Sequence, residues 1–101
     1  MSNLISVAKV SDLNPGECKT VTAGDRELAL ANIGGRFYAC DNTCPHQGGP
    51  LGEGTIDGQQ VICPWHGWRF DVTTGKSPVM PVKIDTFECV IENGEVKVRL
   101  P

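Results

Sequence analysis

The sequence has no apolar run approaching the roughly 20 residues of a membrane-spanning helix, which argues against a helical membrane protein. It also lacks an excess of positive charge. Nine Lys and Arg against 12 Asp and Glu leave a formal charge of −3 and a pI near 5.2, whereas a nucleic-acid surface needs a basic stripe. Mild acidity instead suits docking partners that present positive charge. Residues 1–13 have neither the basic start nor the apolar core of a secretory signal, so a cytoplasmic protein with reduced thiols is expected. An even cysteine count is missing too. Five cysteines fit a disulfide framework poorly, which leaves metal binding or packing as their uses. No window sustains a 3.6-residue periodicity beyond two turns, and there is no repeat, linker or low-complexity segment.

What is present points to an all-β domain. The 101 residues suffice for a single domain, 1–101. A chain this short buries only about two-thirds of its unfolded surface, so a bound metal would add much to its stability. Seven Pro and 12 Gly imply many turns. Ala23-Gly24-Asp25, Gly34-Gly35, Asp57-Gly58, Thr74-Gly75 and Asn93-Gly94 each separate segments rich in β-branched or aromatic residues. Gly34-Gly35 and Asn93-Gly94 are two-residue hairpin signals. The pattern predicts strands near 5–9, 18–21, 27–32, 37–40, 60–62, 69–71, 82–84, 87–91 and 96–100, of which 87–92 and 96–100 alternate apolar and polar residues for most of their length.

Two stretches break the alternation and read as loops projecting from strands, about 41–54 and 63–70. They contain nearly matching half-sites: Cys44-Pro45-His46 followed by Gln47-Gly48-Gly49-Pro50-Leu51-Gly52, and Cys63-Pro64-Trp65-His66 followed by Gly67-Trp68. Sixteen residues separate His46 from Cys63, and both histidines of the protein lie within three residues of a cysteine. Thiolates stabilise ferric iron, while neutral imidazoles suit ferrous iron without adding negative charge. Gly48, Gly49 and Gly67 would let backbone N–H groups approach inorganic sulfides, and Pro45 and Pro64 would stiffen the turns. The competing assignment is a structural zinc site with two Cys and two His, although zinc sites usually have closer Cys spacing and no such Gly/Pro-rich flanks.

Cys-Pro-His and Cys-Pro-Trp-His at this spacing resemble the Rieske signature, and the flanks Asp41-Asn42-Thr43 and Gly67-Trp68-Arg69-Phe70-Asp71 extend the resemblance. It implies the Rieske fold, an antiparallel β-sandwich with a small two-loop cluster-binding subdomain. It further implies one [2Fe–2S] cluster held by Cys44, His46, Cys63 and His66. Respiratory Rieske proteins join the two loops by a disulfide, but the corresponding residues here are Gly49 and Trp65. They also place a Ser and a Tyr hydroxyl against the cluster sulfurs, where this chain has Trp68 and Phe70, which cannot make those bonds. A potential in the lower part of the Rieske range is therefore expected, as in the ferredoxins that feed aromatic-ring oxygenases. Cys40 is close to Cys44, but the family pattern does not use that position. Cys18, Cys40 and Cys89 read as small buried hydrophobes.

The implied function is a soluble electron carrier, not an enzyme. It would pass single electrons from a flavin-dependent NAD(P)H reductase to a terminal (di)oxygenase, docking transiently as a monomer at the His46/His66 end. Once both histidines serve the cluster, none remains for a two-histidine mononuclear iron site, so the chain is not the oxygenase itself. The alternative is a small regulatory or electron-transfer subunit of a nitrite-reductase-like complex. Trp65 is expected to cover the cluster, and Ser77-Pro78-Val79-Met80-Pro81 to form a third loop beside it. Asp41, Glu53, Asp57 and Asp71 are candidates for an acidic docking rim, while Arg69, Lys76 and Lys83 read as scattered solvated charges.

Overall fold

Alternating apolar side chains make each long strand two-faced, and the structure is the packing of those faces. The computed structural model describes residues 3–43, 49–65, 67–78 and 81–100. Its strands are β1 (Asn3–Lys9), β2 (Cys18–Ala23), β3 (Arg26–Ile33), β4 (Arg36–Asp41), β5 (Thr55–Asp57), β6 (Gln60–Ile62), β7 (Arg69–Asp71), β8 (Thr86–Glu92) and β9 (Glu95–Leu100). Short 3-10 turns occupy Val10–Asp12 and Leu51–Glu53. All strand pairs are antiparallel. They form a six-stranded sheet in the order β1-β9-β8-β4-β3-β2 and a three-stranded sheet β5-β6-β7. Among the described residues no helix is long and apolar enough to cross a membrane.

The hairpins turn where the sequence predicts. Asn93 and Gly94 have φ of 51° and 77°, and Gly34 and Gly35 have 61° and 95°. Positive φ at both central residues is what a tight primed turn requires. The six-stranded sheet is continuous through a narrow seam, because β4 and β8 pair only at Ala39↔Phe87 and Cys40↔Thr86. The halves β1-β9-β8 and β4-β3-β2 fold toward each other about that seam and bring the outer strands β1 and β2 together. Val96 and Val98 from one half meet Val21, Leu28, Leu30, Phe37 and Ala39 from the other in the sandwich core.

Strand β3 is buried on both faces over Leu28 to Ala31. Period-2 alternation sends Leu28 and Leu30 into the sandwich core and Ala29 and Ala31 into a second one. That second core joins Ala29, Ala31 and Cys40 to Leu51, Val61, Cys63, Phe70, Val72 and Ile84. Small side chains on this face let the three-stranded sheet and the Leu51–Glu53 turn pack close to β3.

Two details differ from the sequence expectation. Strand β5 was not predicted, and 82–84 is not a strand. Its backbone instead closes an irregular hairpin, with Ile84 N–H donating to Gly75 O at 2.8 Å and Ser77 N–H to Val82 O at 3.2 Å. Among the described residues a single bridge, Lys76↔Lys83, is all the ladder it makes.

Candidate metal centre

The second half-site is the tip of the β6–β7 hairpin. The register Val61↔Phe70 and Ile62↔Arg69 aligns the two strands, and the loop between them closes on itself. Cys63 N–H donates to Trp68 O at 2.7 Å, and Gly67 N–H donates to Cys63 O at 3.1 Å. Cys63 is 3% exposed and its side chain belongs to the second core, beside Val61 and the fully buried Phe70. Trp65, at the tip, leaves 54% of its surface in water.

The first half-site lies between β4 and β5, and Asn42 ties its neck. Asn42 is 7% exposed. Its carbonyl accepts Leu51 N–H at 2.7 Å, and its side-chain Oδ1 accepts Gly52 N–H at 2.7 Å and the Thr20 hydroxyl at 3.1 Å. A bridge between Thr43 and Pro50 continues the closure outward. Below the neck, the backbone of Gly54 presses on β6 so closely that a Cβ there would lie 1.9 Å from Ile62 O.

Among the described residues, the 41–54 and 63–70 loops meet at Gly49. Its own position is buried, and a Cβ on it would lie 2.7 Å from Cys63 Sγ and 3.2 Å from Cγ and Cδ2 of the Trp65 ring. Real Cβ atoms essentially never approach another atom to 2.7 Å, so the 41–54 loop meets the 63–70 loop through bare backbone. Of the four predicted ligands, Cys63 falls among the described residues, while Cys44, His46 and His66 lie outside them, as do Gly48, Val79 and Met80. Within the described residues no group of three His, Cys, Asp or Glu side chains is placed to hold a metal. The surroundings of Cys63 nonetheless suit a sulfur-bound cluster: a buried thiol faces a side-chain-free backbone turn from the opposite loop.

The remaining described cysteines behave as packing residues. Cys18, Cys40 and Cys89 are free thiols. Burial, reinforced by Asp41, Cys18 and Cys89, pushes the Cys40 thiol up to about 12, and burial with Glu88 does the same for Cys89. Burial and Glu17 also raise Cys18, whose S–H donates to Gly54 O at 3.4 Å. The acidic rim, in contrast, is largely committed elsewhere. Asp41 pairs with Arg26 at 3.2 Å and accepts Asp85 N–H at 3.1 Å, Asp57 pairs with Arg69 at 2.8 Å, and Asp71 caps Thr73 N–H at 2.8 Å. Arg69 is thus a cross-strand tie and not a loose surface charge, since it also donates to Gln60 at 3.2 Å. Sequence reasoning noted Asn42 only as flanking sequence, because its partner Thr20 is 22 residues away.

Residues 3–89 match the Rieske [2Fe-2S] domain. The chain belongs to the Rieske family. The ferredoxin component of the naphthalene 1,2-dioxygenase system of Pseudomonas putida is 39% identical over 98 residues, which cover 95% of this chain and 94% of that protein. The Sphingomonas yanoikuyae B1 ferredoxin superposes with a TM-score of 0.89 at 32% identity, covering 98% of this chain and 100% of the other. A chain in the complex of reduced oxygenase and oxidized ferredoxin of carbazole 1,9a-dioxygenase superposes with a TM-score of 0.84 at 40% identity, covering 92% of this chain and 98% of that one. This Rieske ferredoxin therefore carries a Rieske-type [2Fe–2S] cluster, and its role is electron transfer and not catalysis. The antiparallel sandwich with its separate three-stranded sheet is the architecture that the resemblance implies.

Proposed function

We propose that this Rieske ferredoxin is the electron carrier of an aromatic-ring oxygenase system, taking single electrons from a flavin-dependent NAD(P)H reductase and delivering them to the terminal oxygenase. The observation that carries the reading is the likeness, over nearly the whole chain, to ferredoxin components of dioxygenase systems; the meeting of the two loops, with Gly49 of one packed on Cys63 Sγ of the other, supports it. Cys44, His46, Cys63 and His66 are the ligands in this reading. When bound, the cluster takes up and releases one electron at a time. Cys63 supplies an anionic donor from a dry pocket, while His46 and His66 bind as neutral donors and keep the site less negative than four thiolates would. Gly49 leaves room at the sulfur, and Asn42 holds the first loop to the strand beneath it.

The 1–101 chain acts as one domain in the cytoplasm, with 41–54 and 63–70 as its cluster-binding loops. Partners dock at the end that carries His46 and His66, through a small interface that forms and separates quickly. The test is reconstitution from NADH, a flavin reductase, this protein and a ring oxygenase, with product formation as readout. Wild type should support turnover, and His66→Ala should lose both the Rieske electron paramagnetic resonance signal and turnover. Equal turnover when the protein is omitted refutes the carrier role, and a retained Rieske signal in His66→Ala refutes the ligand assignment.

A further inference from the structure

We propose that Trp65 is a positioning residue for the metal centre: its indole, seated on Gly49, clamps the 41–54 loop to the 63–70 loop beside the sulfur of Cys63. The inference rests on the reading of Cys63 as a ligand. Trp65 keeps 54% of its surface in water, so burial in a core does not account for where it lies. Its covered side meets the backbone of Gly49, where a Cβ would come within 3.2 Å of the ring and 2.7 Å of Cys63 Sγ. Three groups from two loops thus share one contact point, and a displacement of any of them opens space at the ligand sulfur.

The necks of both loops are already fixed. Asn42 closes the first, through Leu51 and Gly52, and the Cys63–Trp68 bond closes the second. Those bonds close each loop at its base, and none of them spans the two tips. Cys18, Cys40, Cys63 and Cys89 are all free, so among the described residues no covalent bridge spans the loops. The indole–glycine contact does so non-covalently. Its planar face covers bare backbone without a rotamer-rich partner to order, and the same face keeps water from the sulfur.

The experiment compares cluster loss in excess EDTA, followed by visible absorbance, with the cluster's midpoint potential. Trp65→Ala should assemble the cluster and lose it about three- to tenfold faster, the range expected for one lost aromatic contact. Its midpoint should move upward as solvent reaches the sulfur. Trp65→Phe, which restores a flat ring, should stay within about twofold of wild type by the same measure. Gly49→Ala should reproduce the Trp65→Ala behaviour by forcing the ring and the sulfur apart. Wild-type loss rate and midpoint in Trp65→Ala overturn the proposal, and so does loss in Trp65→Phe as fast as in Trp65→Ala. If Trp65→Ala fails to fold, Trp65→Leu replaces it: faster loss than in Trp65→Phe supports the clamp and equal loss overturns it. Cys63→Ser separates the two readings. A Rieske signal retained there overturns the ligand assignment, whereas its loss together with an unaltered Trp65→Ala overturns the clamp alone.

Discussion

Replacing Asn42 by Ala removes one oxygen that serves two donors. Oδ1 accepts Gly52 N–H at 2.7 Å and the Thr20 hydroxyl at 3.1 Å, in a site where Asn42 is only 7% exposed. A buried donor left unpaired costs about 1–3 kcal/mol. Gly52 N–H is held by its backbone and cannot turn to another acceptor, so it bears the larger share. The Thr20 hydroxyl rotates and recovers part of its loss. Their sum is roughly 2–3 kcal/mol. For a domain of this size each kcal/mol lowers Tm by roughly 4–8 °C, so Asn42→Ala should melt about 10–20 °C below wild type. Thr20→Val removes only the weaker bond and should cost about 1 kcal/mol. Asn42→Asp keeps the acceptor but brings a charge into the site, so it should fall between wild type and Asn42→Ala. The assay is thermal melting by far-ultraviolet circular dichroism on equally cluster-loaded proteins. The reasoning is refuted if Asn42→Ala melts no lower than Thr20→Val.

Two further outcomes follow from the sequence and structure. With Trp68 and Phe70 in place of hydroxyl donors, a redox titration should find the midpoint in the negative part of the Rieske range of about −150 to +300 mV; a clearly positive midpoint contradicts it. Cys40 and Cys89 are raised from an ordinary value of 9.0 to about 12, so their neutral thiols favour the fold fully below pH 9. As pH rises from about 9 toward 12 the unfolded chain loses these protons and the folded chain keeps them, so stability declines by up to roughly 1.4 kcal/mol per pH unit for each thiol. Urea midpoints measured across that window should fall, and less steeply in Cys40→Ala; equal slopes argue against a protected thiol.

The parts of this protein that were readable in sequence are those whose physics is local. Asn93-Gly94 announces its turn because positive φ is a property of those two residues alone. Val96 and Val98 announce a buried face because alternation is written along one strand. The family was readable because Cys-Pro-His and Cys-Pro-Trp-His at that spacing have few other uses. Where pairing crosses the chain, the sequence is silent. Strand β5 holds only Thr55, Ile56 and Asp57, and it is a strand because β6 lies beside it. Residues 82–84 mislead in the opposite direction: Ile84 is β-branched and buried, yet the Gly75 and Ser77 backbones hold it in an irregular hairpin. The ion pair of Asp41 is hidden for a similar reason, since Arg26 reaches it across 15 residues of sequence.

Non-local packing also explains why a chain this small can support the metal centre at all. Strand β3 divides its side chains, Leu28 and Leu30 toward the sandwich and Ala29 and Ala31 toward the loops. The sandwich core therefore forms from the long strands without calling on any of the proposed ligands. The second core is different, because Cys63 is itself one of its members, together with Leu51 from the turn that ends the first loop. The Cys63 sulfur thus lies where two loops meet a wall already fixed from behind by the sandwich. Short loops with few apolar residues cannot organise themselves, but loops seated on a finished sheet need only close their necks and meet at their tips. Asn42 performs the first task, and the contact of Gly49 with Cys63 and Trp65 performs the second.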